Sequence, residues 1–162
     1  MIPDPDLQLS VAIKALRDVV APAVNPADAV AVEQLHLALA TLSMVRSRLP
    51  FIHAVARQEL ANALLLAAAV DTQGRIGELI AQGREMLENP AITTAEIDVI
   101  RGSLLDAVSN HIVSISDPDR QKSIAKAVIA HSRPQCDLAR AWSLPAGFEP
   151  DPDEIMAIER LL

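Results

Sequence analysis

The sequence predicts an all-α protein, and three observations carry that prediction. The 162 residues include 27 Ala and 20 Leu against 5 Gly, a composition that favours helix. Apolar side chains recur every three or four residues along most of the chain, the period of an amphipathic helix. Asp, Asn or Thr stands repeatedly just ahead of a proline or three residues ahead of a Glu, the pairings that open helices. No stretch alternates polar and apolar residues over the length of a strand; residues 112–115 are short and continuous with a helical pattern. The expected architecture is a helical bundle or irregular helical array of six to seven helices in a single helical domain, 1–162.

The elements follow in order. Asp4 or Asp6 can cap a first helix over about 6–21, with Leu9, Ile13 and Leu16 inward and Pro22 ending the run. Asn25-Pro26 reads as a cap followed by a first-turn proline. The stripe Val32, Leu35, Leu39, Leu42, Val45 and Leu49 carries a second helix to Pro50. A third helix covers about 51–70, so that a long antiparallel hairpin is expected around Pro50. Asp71-Thr72-Gln73-Gly74 opens a fourth helix, 73–88, which Asn89-Pro90 stops. Thr93 with Glu96 is a capping box for a fifth helix, 94–115. Asp117-Pro118 opens a sixth, whose end is blurred by Pro134; it reads as one helix or two pieces. After a loop at 143–150, Asp151-Pro152 starts a short final helix. The tetrapeptide Pro-Asp-Pro-Asp occurs at 3–6 and again at 150–153, a match that shared capping chemistry explains.

Charge and cysteine usage narrow the functions. The formal net charge is −7 and the 14 Lys and Arg are scattered, so no basic stripe offers itself to nucleic acid or to an anionic membrane surface. The most apolar run, Leu60 to Val70, is shorter than a membrane span and is broken by Asn62. Neither nucleic acid nor membrane is an expected partner. One cysteine, Cys136, allows no intrachain disulfide, and the first residues lack the basic segment of a signal peptide. The expected compartment is the cytoplasm.

Candidate chemistry is sparse. Glu33 and His36 stand three apart, as in carboxylate-bridged metal bundles, but the inward positions of the other helices are Leu, Ile and Ala. No metal ligand set is therefore predicted, and no cofactor is implied. His53 and Arg57 lie one turn apart beside the Pro50 bend, where a bundle end can open a pocket. With Arg46 and Arg48 they could form a small anion-accepting mouth; solvated charges matching the helix dipole are the plainer reading. His111 sits late in the fifth helix. His36, His53, Arg57 and His111 are the candidate ligand-binding residues, and no residue is assigned a catalytic role. Cys136 reads as a small buried side chain. Trp142 and Phe148 are expected to pin the C-terminal loop, with a protein contact as the alternative.

The stretches PDPDLQLSVAIKALRDVVAPAV (3–24) and AVEQLHLALATLSMVRSRL (31–49) carry a Pro-Asp start, Leu9, Ile13 and Leu16 at helical spacing, a break at Pro22 and a second helix ending in Arg. In these features the chain resembles small all-helical bacterial proteins of unknown function found beside aminoglycoside-phosphotransferase-like kinases and acyl-CoA dehydrogenases. The resemblance implies an accessory or regulatory role beside an enzyme and brings no catalytic residue with it.

Together these features lead to a non-catalytic helical accessory or interaction protein, acting as a homo-oligomer (a homodimer in the simplest case) or with a partner enzyme. A mean hydropathy of +0.25 at this length suits apolar helix surface held in an interface. Two alternatives stay open. One is a small-molecule-binding or catalytic protein with a polar cavity near His36, His53, Arg57 and His111. The other is a carboxylate and histidine metal bundle.

Overall fold

The computed structural model describes residues 4–162. Pro3, the first residue of the Pro-Asp-Pro-Asp pair of motifs, lies outside them. Among the described residues there is no strand. Helix α1 (Pro5–Ala15) runs through a π turn (Leu16–Val20) into the one-turn α2 (Ala21–Ala23). Then come α3 (Ala29–Arg48), α4 (Ile52–Val70), α5 (Gly74–Glu88), α6 (Thr94–Ser114) and α7 (Pro118–Ser143). The all-α prediction holds, with six helices of eleven residues or more among the described residues.

Two compact units result. The first holds the described residues up to Phe51 together with Ser143–Pro150; the second holds Ile52–Trp142 and Asp151–Leu162. In the first unit α3 packs on α1 and on the 3-10 turn Leu144–Ala146. Asp6 on α1 accepts two hydrogen bonds from the Arg46 guanidinium on α3, at 2.8 and 3.0 Å. That pairing, with its coulombic attraction, holds the Asp6 carboxyl below the usual carboxylate range. Pro22 does not end the first helix as expected. The π turn widens the helix just ahead of it, and the Ala21 N–H reaches the Leu16 carbonyl. Helix then continues to Ala23, and the chain turns extended only at Val24.

The cap of α3 also differs from expectation. Asn25 accepts from the Ala27 N–H at 3.0 Å and so builds a turn, not a helix start. Asp28 is the cap, accepting from the Ala31 N–H at 3.0 Å. The break expected at Pro50 is a 3-10 turn, Leu49–Phe51. Beyond it α4 packs on α5 and α6 to make the core of the second unit.

That core is aliphatic throughout. Leu60, Ala63, Leu64 and Ala67 of α4 meet Ile76, Leu79 and Ile80 of α5 and Ile97, Ile100, Leu104 and Val108 of α6. Each fully buried Leu or Ile contributes about 1.5–3 kcal/mol relative to exposure. Small side chains bring the helices close: a Cβ at Gly83 would stand 2.9 Å from Leu64 Cδ2. The Thr93–Glu96 capping box forms as the sequence predicts, with Thr93 N–H donating to Glu96 at 2.9 Å and Glu96 N–H to Thr93 at 3.3 Å. Helix α7 is a single helix with Pro134 inside it, not two pieces. The C-terminal helix expected from Asp151 is instead two 3-10 turns, Pro152–Glu154 and Ile158–Arg160, of which Ile158 is buried. Phe148 is 90% exposed and pins nothing, contrary to expectation.

Candidate functional site

The sequence-derived site residues have separate surroundings within their own units. His36 is an exposed residue of α3, in the first unit. His53 is exposed at the start of α4, with its Nδ1 3.4 Å from Thr94 Oγ1. Arg57, one turn on, donates to the Leu87 carbonyl and, at 3.4 Å, to that of Asn89. It thereby satisfies carbonyls that the end of α5 leaves without helical partners. Its charge serves the fold of the second unit, as that of Arg46 on Asp6 serves the first.

His111 stands at the opposite end of α6 from Thr94. Its Nε2 is 3.4 Å from Asp71 Oδ2 and 3.4 Å from Arg120 Nη2. Asp71 also accepts from the backbone N–H groups of Thr72 and Gln73, at 2.7 and 3.1 Å. The Gln73 and Thr72 bonds, helped by His111 and Arg120, hold the Asp71 carboxyl below its usual value. This cluster ties the α4–α5 turn to α6 and α7, an architectural task. Among the described residues no three His, Cys, Asp or Glu groups come together to hold a metal ion. Glu33 and His36 are both exposed on α3.

A different constellation faces a cavity. The backbones of α4, α5 and α6 approach one another closely, whereas α7 stands further off. Long polar side chains span the gap. Glu59 on α4 is ion-paired with Arg101 on α6, and Arg101 also reaches Asp98 Oδ1 at 3.1 Å. Gln135 on α7 donates to Glu59 Oε1 at 3.0 Å. Asn62 donates to Gln135 Oε1 at 3.2 Å and accepts from Gln58 at 3.0 Å. The spacings make this possible: Glu59 and Asn62, and Asp98 and Arg101, are i, i+3 pairs on single helix faces. Both charges of the pair are more than two-thirds buried, and the surrounding hydrogen bonds offset the cost of removing them from water.

The resulting cavity has a volume of about 300 Å³ and a mostly apolar wall. Ala63, Leu66 and Leu105 supply the apolar side, and the Glu59–Arg101–Gln135 network supplies the floor. His131, Ser132 and Cys136 enter from α7, around Pro134. The Ser132 hydroxyl is committed to the Val128 carbonyl at 2.7 Å. His131 and Cys136 have no hydrogen-bond or ion-pair partner among the described residues. Cys136 is exposed, so its expected burial is corrected: α7 stands off and leaves the thiol facing open space.

None of His36, His53, Arg57 and His111 lines this cavity. Sequence reasoning gave no site role to Glu59, Asn62 or Gln135, which line this cavity with His131 and Cys136. One signal was visible: Asn62 interrupts the apolar run from Leu60 to Val70 at a position that proves buried. A buried amide requires partners, and its partners lead to the cavity. No helix among the described residues is long and apolar enough to cross a membrane. No family model, no curated protein and no solved structure matches the chain.

Proposed function

We propose that this protein is a non-catalytic helical interaction protein that acts by self-association through its first unit. One observation carries the reading. Leu7, Val11, Val19 and Val30 are each at least 60% exposed, while Ile13 is the one buried apolar side chain among described residues 4–51. Leu7 and Val11 stand one turn apart on a single face of α1. Such side chains gain about 1.5–3 kcal/mol each when covered. Electrostatics favour a second copy as the cover. The described part of the unit carries four basic and six acidic side chains, so two copies meet with little repulsion. Most of the chain's net charge of −7 lies in the other unit.

Sedimentation velocity over a concentration series tests the proposal. The wild-type chain is expected to sediment as a dimer or larger at about 10–100 μM, above the roughly micromolar weak end for interfaces of about 800 Å² per partner. Leu7→Glu with Val11→Glu should give a monomer of unchanged helical content by circular dichroism. A wild-type chain that stays monomeric throughout would overturn the reading. A monomer that instead captures an enzyme through the same face would put the partner-enzyme form of the proposal in its place. A second reading, small-molecule binding, is favoured by the cavity beside Glu59 and Arg101.

A further inference from the structure

We infer that the cavity between α4, α6 and α7 takes a small uncharged amphiphile, with an aliphatic body and a single alcohol or carbonyl head. The inference rests on the small-molecule reading of that cavity and specifies its ligand class.

Three features set the class. The first is charge. Glu59 has both carboxylate oxygens committed, one to Arg101 and one to Gln135. Arg101 is held between Glu59 and Asp98. An anionic ligand finds no unpaired cation on the floor, and a cationic one finds no unpaired carboxylate. Either would lose hydration without a counter-charge, which is costly. The second feature is the wall, where Ala63, Leu66 and Leu105 present aliphatic surface. Leu105 remains 38% exposed, an apolar side chain at the opening with nothing over it. The third is the uncommitted polar group. The His131 ring is half-buried at the cavity and has no partner among the described residues. An imidazole ring offers an N–H donor and, on its unprotonated nitrogen, an acceptor, the complement of an alcohol or a ketone.

Size agrees. At about 30 Å³ per water-sized group, the cavity holds about ten such groups. That matches a six- to eight-carbon chain with its head. A ligand of eight to nine non-hydrogen atoms in such a site binds with a dissociation constant on the order of millimolar.

Cys136 provides the readout, being the single cysteine of the chain and an exposed residue of the cavity wall. The experiment measures the rate of its alkylation by iodoacetamide on the full-length chain. The probes are 1-heptanol, 2-heptanone, heptanoate and heptylamine. A short cysteine peptide corrects for effects of each probe on the reagent. The two neutral probes should slow alkylation about threefold or more at concentrations a few times the dissociation constant. Heptanoate and heptylamine should leave the rate unchanged. Leu105→Trp, which fills the opening, should abolish the protection. If that variant loses helical content, His131→Ala replaces it and should weaken protection by 1-heptanol. Protection by a charged probe alone, or equally by all four, overturns the uncharged class while leaving a binding cavity. No protection by any probe overturns both the class and the small-molecule reading.

Discussion

Alanine substitution at two helical glycines should move stability in opposite directions. Gly77 lies in the first turn of α5 and Gly102 at an exposed position in the third turn of α6; both belong to the second unit. On helix propensity alone, each Gly→Ala change gains about 0.8–1 kcal/mol. Around Gly102 no atom lies within 4 Å of a new Cβ, so the gain should be kept. At Gly77 a Cβ would stand 2.3 Å from the Thr72 carbonyl oxygen and 3.0 Å from its carbon. Those atoms are backbone, in a turn pinned by Asp71 to the Thr72 and Gln73 N–H groups. The turn cannot yield without losing those bonds. Overpacking of this kind costs about 1–3 kcal/mol, which offsets or outweighs the propensity gain. Gly77→Ala should therefore destabilise by up to about 2 kcal/mol and Gly102→Ala should stabilise by up to about 1 kcal/mol. Urea unfolding followed by helical circular dichroism measures both. In thermal melts the same changes amount to about 2–4 °C per kcal/mol. If Gly77→Ala proves as stabilising as Gly102→Ala, the close approach of the Thr72 carbonyl, and the turn geometry behind it, is refuted.

Other substitutions probe the remaining parts. Leu104→Ala, at a fully buried position of α6, should cost about 2–5 kcal/mol in the same unfolding assay, and a loss under 1 kcal/mol would contradict its place in the core. Thr93→Ala removes one half of the capping box and should cost about 1 kcal/mol, with hydrogen exchange rising first in the opening turn of α6. Arg101→Met leaves the largely buried Glu59 beside Gln135 alone and should cost about 1–3 kcal/mol; Glu59→Gln combined with Arg101→Met should recover part of that loss. Asp6, Asp71 and Glu96 all have carboxyls held below their ordinary values, Glu96 by the Thr93 hydroxyl and N–H. The fold thus favours their charged forms. Their contribution is complete at neutral pH and is lost as pH falls from about 4 through the lowered values. The urea midpoint should drop between pH 5 and pH 3, and a midpoint that stays level or rises there would contradict these pairings.

Much of the fold could be read from sequence because helix starts and stops are local events. Asp4, Thr93 with Glu96, and Asn89-Pro90 act on backbone groups two or three residues away, so spacing alone predicts them. The errors came where a neighbouring segment changed the local balance. Asn25 yielded its capping role to Asp28 because Asn25-Pro26-Ala27 closes a turn of its own. Pro22 and Pro134 stayed inside helical segments. A π turn prepares for the former, and the latter is exposed on α7, with Leu138 and Ala141 buried beyond it.

The site was hardly legible at all. Arg57 looked like a ligand-binding cation, and it caps α5 across a separation of 30 residues in the chain. His131, Cys136, Gln135, Glu59 and Arg101 share no motif. They come together because α7 stands off from α4 and α6, a distance decided by side chains on three helices at once. By itself the sequence determined the helical class, the caps and the aliphatic composition of the core, all of which depend on contacts within a few residues. Tertiary structure decided which polar residues face a cavity and which merely tie helix ends, because that depends on packing between segments 30 to 76 residues apart.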